Sequence, residues 1–280
     1  MFQRLGLSAV TALSLAFPAL AEGNLHDMLP QPIREAGVLR VIASSSGSPP
    51  MMYVGADART LEGLEAELTD ALAGVLGVKV EYTNGTFDSL IPAIAADRAD
   101  FAVGSIGDLK SRQEQVDFVD YVKAGVGMAV LKGNPKKITG LETLCGASVA
   151  VVRGTFQEKE LAEQKTKCEA TGSTLDVQTF AETNAAVMAL RSERVDVWSG
   201  DSAPVGYGVS QSGGALELAG PIRSIAVLGY AVGKDNKALS EALKAGLEEL
   251  LKNGTYKTIF EKWGQAGTML DAITINDAWL

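Results

Sequence analysis

Arg112, Thr155, Asp201 and Phe87 are the residues of this sequence whose types and positions offer chemistry. Arg112 closes the run Asp108-Leu109-Lys110-Ser111-Arg112, just after Phe101–Val103, which reads as a buried strand. Ligands of open α/β sheets sit beyond the carboxyl ends of strands. A guanidinium there can grip a carboxylate through two parallel hydrogen bonds. The plainer reading is a solvated surface arginine. Gly154-Thr155-Phe156-Gln157 opens a helix after another strand, where free N–H groups and the helix dipole favour an anion. An ordinary threonine cap is the plainer reading there. Asp201 follows the strand Val195–Trp198, and either binds an ammonium group or caps the helix behind it. Phe87 begins a helix after a strand, placed either to stack on a ligand or to pack in the core. The set says more than its members. Arginine with a helix N-terminus fixes a carboxylate, and an aspartate fixes an amine. Together they describe an α-amino acid held at both backbone ends.

Other chemistry is poorly supplied. His26 is the one histidine and lies outside any motif, so a Ser-His-Asp triad lacks a partner. With two cysteines, no HExxH and no CxxC, a metal site of the usual zinc type is not expected, nor is a cofactor. Gly200-Asp201-Ser202 is followed by Ala203 with no histidine downstream. Gly125-Val126-Gly127 and Gly206-Tyr207-Gly208 each lack the third glycine of a dinucleotide fingerprint.

The elements that must position these residues alternate. A strand over Leu39–Ala43 precedes a helix carrying Leu64, Leu68, Ala71, Leu72 and Val75, with Glu65, Glu67 and Asp70 between them and Gly77 as its stop. Next come a strand over Val78–Tyr82, a helix over Phe87–Asp97 with Asp88 as cap, and the strand Phe101–Val103. This β-α-β-α-β order implies a mainly parallel sheet covered on both faces. The order then repeats: strand Ala147–Val152, helix from Gly154 to about Thr166, strand Leu175–Phe180, helix Glu182–Ser192, strand Val195–Trp198. Extended stretches at Val122–Val130 and Ile225–Val232 lie at the junctions, and helices over Lys237–Leu251 and Tyr256–Trp263 follow. If those helices return to the first unit, the chain crosses twice between units, forming a hinge with a cleft between lobes.

The chain has 280 residues, 46% hydrophobic and 21% charged, which excludes a disordered or collagen-like chain. A formal charge of −9 with no basic run argues against nucleic acid and anionic membranes as main partners. Residues 1–21 read as a secretory signal: Arg4, an apolar stretch Leu5–Phe17, and a small-residue site ending at Ala21. The apolar run is shorter than the roughly 20 residues a membrane span needs. The mature chain is expected to be exported. In an oxidising compartment Cys145 and Cys168 would pair, the alternative being two buried thiols.

From Gly37 to Gly264 the sequence resembles the family 3 periplasmic solute-binding proteins, the polar amino acid receptors of ABC importers. The resemblance is carried by Leu39-Arg40-Val41, Pro49-Pro50, Leu61-Glu62-Gly63-Leu64-Glu65-Ala66-Glu67-Leu68, Phe87-Asp88-Ser89-Leu90-Ile91-Pro92-Ala93-Ile94 and Val116-Asp117-Phe118. In the second half it rests on Val152-Arg153-Gly154-Thr155, Arg194-Val195-Asp196 with Asp201, and Asn253-Gly254-Thr255-Tyr256 through Glu261-Lys262-Trp263. It implies an α/β, two-lobed type II periplasmic binding protein fold, each lobe a mainly parallel sheet covered by helices. Residues 22–125 and 227–280 would form lobe 1, and residues 126–226 lobe 2, joined by two hinge strands. It also implies a non-catalytic monomer that hands its ligand to an inner-membrane permease. Arg112, with backbone N–H groups around Ile106 and Gly107, would take the ligand carboxylate, and Thr155 would cap it from the other lobe. Asp201 would take the ammonium and Phe87 would stack on the side chain, with Val152 and Gln157 as further lining.

Departures from that family bear on specificity. Many relatives carry an aspartate and an aromatic before Pro-Pro, where this sequence has Ser45 and Ser48. Without that carboxylate a cationic side chain loses its usual partner, so a small polar or moderately apolar ligand is expected. Asp108 near a carboxylate site is unfavourable unless it points away. The rival readings are a cyclic-acid dehydratase of the same fold, using Glu62 or Glu65 as acid, and a ligand sensor outside transport.

Overall fold

The computed structural model describes residues 24–44 and 47–278. The signal segment and Ser45 lie outside the described residues. In chain order the elements are α1 (Gln31–Ala36), β1 (Val38–Ser44), β2 (Tyr53–Val54), β3 (Leu61–Glu62), α2 (Leu64–Val75), β4 (Lys79–Gly85), α3 (Leu90–Ala95), β5 (Phe101–Val103), α4 (Lys110–Gln113) and β6 (Val116–Leu131). They continue as β7 (Ser148–Val152), α5 (Phe156–Ala170), β8 (Asp176–Phe180), α6 (Thr183–Arg191), β9 (Val197–Asp201), α7 (Ser202–Ser210), β10 (Leu216–Leu218), β11 (Arg223–Gly233), α8 (Lys237–Lys252) and α9 (Thr255–Lys262).

Hydrogen bonding runs in the order β4-β1-β5-β11-β6-β9-β7-β8. Strands β4, β1 and β5 are parallel, as are β9, β7 and β8. The antiparallel strands β6 and β11 join the two sets. Val126 of β6 faces Arg223 of β11 on one side and Asp201 of β9 on the other.

Each lobe buries its own apolar residues. In the first, α2 and α8 cover the sheet with Leu64, Leu68, Leu72, Leu243, Leu247 and Leu250. Each such leucine contributes about 1.5–3 kcal/mol relative to exposure. The helical periodicity of α8 is anchored by Asn236, whose side chain accepts from the Leu239 N–H. Helices α8 and α9 pack against α2. A second layer under α3 gathers Ile42, Leu90, Ile94, Ala102 and Phe118. In the second lobe, Val149, Val151, Leu161 and Val197 lie on one sheet face, and Ala150, Leu190, Trp198 and Val205 on the other. Cys145 and Cys168 form a disulfide across 23 residues, tying the loop before β7 to α5.

Two local expectations are corrected. The helix after β4 begins as a 3-10 turn, Phe87–Ser89, before α3. Asp88 does not cap it; its carboxylate accepts from the Thr86 hydroxyl instead. Strand β6 begins at Val116, because Asp117 and Asp120, which look like strand breakers, are buried with partners. Asp117 accepts from Lys237 and Asn276, and Asp120 from Thr274.

Candidate ligand-binding site

A cavity lies between the lobes, beyond the carboxyl ends of β1, β5, β7 and β9. Ser48, Phe87, Gly107, Arg112, Val152, Thr155, Gln157 and Asp201 all line it. Ile106 does not: its side chain is buried in the α3 layer and its carbonyl accepts from Gly229, because β11 runs directly alongside. Asp108 turns away as well. It is fully buried, with Oδ1 accepting from Gln113. Burial raises its carboxyl to about 6.

Arg112 stands at the end of the short helix α4. Its Nη1 donates to Gly107 O at 2.9 Å, and its Nη2 donates across the cleft to Gly154 O at 3.0 Å. The guanidinium carbon stands 5.4 Å from the centre of the Phe87 ring, a cation–π contact. Burial lowers Arg112 to about 10, while Asp201 and Asp108 push it back up. It therefore remains a cation at neutral pH.

Asp201 occupies the N-cap position of α7 but makes no capping hydrogen bond with its side chain. Its Oδ1 accepts from Gln157 Nε2 at 2.6 Å. Burial raises it to about 6, offset by Gln157 and by the charge of Arg112. Thr155 does cap: its hydroxyl accepts from Glu158 N–H and donates to Val152 O. The Thr155 side chain is thus spent on its own helix, and the free N–H groups of the first turn remain for an anion.

Residues 40–266 match the bacterial extracellular solute-binding proteins, family 3. The chain belongs to that family. It is 29% identical over 256 residues to the arginine-binding protein ArgT of Corynebacterium glutamicum, covering 91% of this chain and 83% of that protein. It is 26% identical to the L-cystine-binding protein TcyJ of Escherichia coli K12, covering 93% and 95%. A solved structure of an ancestral arginine-binding protein bound to glutamine superposes with a TM-score of 0.74 at 34% identity, covering 82% of this chain and 98% of that one.

This family 3 protein carries cavity residues that sequence reasoning did not single out as ligand contacts. Glu65, in the first turn of α2, is fully buried and lines the cavity. Its Oε1 accepts from Ser105 N–H at 2.6 Å and from the Tyr121 hydroxyl, and the Ser105 hydroxyl reaches both oxygens. Burial raises Glu65 to about 7, against those hydrogen bonds. Among the described residues the first loop brings Gly47, Ser48, Met51 and Met52 to the cavity and no carboxylate, yet the cavity does hold a second carboxyl group, supplied by α2. Trp198, Ser199 and Gly200 of β9 and Thr183 of α6 also line it. Among the described residues no cluster of His, Cys, Asp and Glu suits a metal ion, and no helix is long and apolar enough to cross a membrane.

Proposed function

We propose that this protein is the periplasmic receptor of an ABC importer for an α-amino acid or close analogue, held in the interlobe cavity and delivered to an inner-membrane permease. One observation carries the reading: Arg112 and Asp201, opposite charges from opposite lobes, line the same cavity and sense one another's field. That arrangement matches the carboxylate and ammonium of a zwitterion. Gly107 and the first turn of α5 at Thr155 support the carboxylate. Phe87 stacks on the side chain, and Gln157 holds Asp201 in place. Ser48 and Val152 bound the remaining space. The lobes, residues 22–125 with 227–280 and residues 126–226, swing about β6 and β11. Ligand favours the closed arrangement by its preference for that state. The exported chain is a monomer, cleaved after Ala21, and the site performs no reaction.

The relatives named above take arginine, cystine and glutamine, which supports the amino-acid class and leaves the side chain to this chain's own cavity. The test is a thermal-shift screen of refolded, ligand-free protein against the twenty amino acids, opines, betaines and ectoines. A ligand at 100 times its Kd adds about 2.7 kcal/mol, or roughly 2–4 °C per kcal/mol for a chain of this size. A shift with a free α-amino acid supports the clamp. A shift confined to a betaine or cyclic acid overturns the role of Asp201.

One observation favours a second reading. Glu65, raised to about 7 inside the cavity, has the protonation balance of a general acid. Turnover of prephenate-like cyclic acids, abolished in Glu65→Gln, would make the protein a dehydratase.

A further inference from the structure

Two buried polar groups on the cavity wall have no hydrogen-bond partner among the described residues: Trp198 Nε1 and, next along β9, Ser199 Oγ. An indole N–H donates and cannot accept, so it cannot be satisfied by the donors that line much of this cavity. Buried donors are seldom left unpaired, and one that is calls for an explanation.

The setting of Trp198 supplies one. Its indole is 1% exposed and fits a slot between β9 and α7. A Cβ added at Gly208 of α7 would come 2.9 Å from Cζ3, on the six-membered ring. A Cβ added at Gly200 would come 3.2 Å from Nε1. Gly200 lines the cavity and Gly208 does not. The edge of the indole that carries the N–H therefore faces the cavity side, and the benzenoid edge faces the helix. Glycine at 200 keeps a side-chain carbon off that edge, where any other residue would place one 3.2 Å from Nε1. Thr183 and Pro204, in the first turns of α6 and α7, also line the cavity, and these helix N-termini add positive potential to it.

We infer that Trp198 Nε1–H is a ligand donor that reads an uncharged acceptor oxygen, a carboxamide or ureido carbonyl, on the side chain of the bound amino acid. The inference rests on the zwitterion clamp proposed above and extends it to the side chain. A second ligand carboxylate is disfavoured, since Glu65 and Asp201 already place two carboxyl groups against one guanidinium on the cavity wall. A cationic end would meet the donor face of the indole edge and the two helix N-termini, all of the wrong polarity.

The experiment compares matched pairs by calorimetry: L-glutamine against L-norleucine, and L-citrulline against L-arginine, on wild type, Trp198→Phe and Arg112→Ala. Phenylalanine fills most of the slot and lacks the donor. We expect Trp198→Phe to weaken glutamine and citrulline at least tenfold and norleucine less than twofold. Equal losses within both pairs, or no loss, overturn the inference while leaving the clamp standing. So does a wild type that binds norleucine or arginine but neither glutamine nor citrulline. If wild type binds none of the four, the inference fails, and the clamp stands or falls on the wider amino-acid screen. If binding survives Arg112→Ala, the carboxylate contact is the part at fault. A second readout uses the unmodified protein. Of its three tryptophans, the Trp198 indole ¹⁵N–H resonance, assigned by substituting the other two, should move downfield with glutamine and stay in place with norleucine. An unmoved resonance with bound glutamine overturns the inference even if Trp198→Phe fails to fold.

Discussion

The two walls of the cleft are built on different terms. On the first-lobe wall, Glu65 is engaged by Ser105 and Tyr121, Arg112 donates to Gly107 beside it, and Asp108 is turned into the protein. On the second-lobe wall, Asp201 has one side-chain partner, Gln157, while Trp198 Nε1 and Ser199 Oγ have none. Glu65 and Arg112 of the first wall spend hydrogen bonds on keeping its shape, and the Asp108 oxygen without a partner, Oδ2, is turned from the cavity. The second retains polar groups whose satisfaction requires something inside the cavity. A buried donor left unmade costs about 1–3 kcal/mol, so the second wall gains most when the right solute is enclosed. Capture on a fixed wall followed by selection on an unsatisfied one is the division of labour this difference implies.

The largest effect should come from the residue that belongs to both walls. Arg112 is rooted in the first lobe and reaches Gly154 of the second. Arg112→Ala should cost about 2–5 kcal/mol of amino-acid binding, the range for truncating one partner of a buried charged pair. Calorimetry on the refolded protein measures it. Asp201→Asn should fall in the same range and abolish the proton release that accompanies binding. Asp201 is raised to about 6, so an incoming ammonium drives its proton off, and affinity should rise as pH increases through 6. Retained tight binding in both variants would erase the proposed complementarity of the walls.

Stability separates the lobes next. The second lobe is closed by Cys145–Cys168, while the first depends on the packing of α2 and α8. Replacing both cysteines by alanine should cost about 3 kcal/mol, the value for a loop of this size. Hydrogen exchange should show the loss in β7, β8 and α5 and leave β1 and β5 protected. The unliganded protein should also lose stability as pH rises from about 4 towards 7. Glu65 and Asp120 are raised by burial to about 7, and Asp108 and Asp201 to about 6. In that window the folded state holds more protons than the unfolded one, so the slope is negative. Thermal midpoints should be higher at pH 5 than at pH 8, and Glu65→Gln should flatten part of the slope.

Much of this was legible in the sequence, and the gaps have physical causes. The strand Phe101–Val103 has the predicted bounds because a short apolar run buried on both faces offers few alternatives. Arg112, Asp201, Gln157 and Phe87 reach one cavity because the strands before them end on the same side. Glu65 escaped as a contact because its neighbours Glu67 and Asp70 give the helix a polar face, whereas Glu65 itself is fully buried, its N–H donating to Met51 O of the first loop. Trp198 entered the sequence reading only as the end of the strand Val195–Trp198. Its orphaned N–H depends on Gly200 and Gly208, whose relation to the indole exists only after α7 packs on β9. Strand β6 extends beyond the expected Val122–Val130 because Asp117 and Asp120 are held in it by partners from Lys237 and the C-terminal segment.

The smallest effects belong to the rim where the walls meet. Gly154 has φ +77°, and a Cβ there would lie 3.0 Å from Asp88 Cβ in the opposite lobe. Gly154→Ala should therefore cost about 1–2 kcal/mol for the left-handed backbone, and should also hinder closure. The two effects separate experimentally. Asp88→Gly, which removes the carbon the new methyl would meet, should restore part of the binding in that background and none of the thermal stability. Arg153 Nη1 stands 3.9 Å from Asp88 Oδ2, with both side chains partly exposed. A pair of this kind is worth at most about 1 kcal/mol and is screened by salt. Arg153→Ala should change affinity less than tenfold at low salt and hardly at all at high salt. A larger, salt-independent loss would mean that Arg153 faces the ligand rather than the rim, and the wall of the second lobe would then hold a cation of its own.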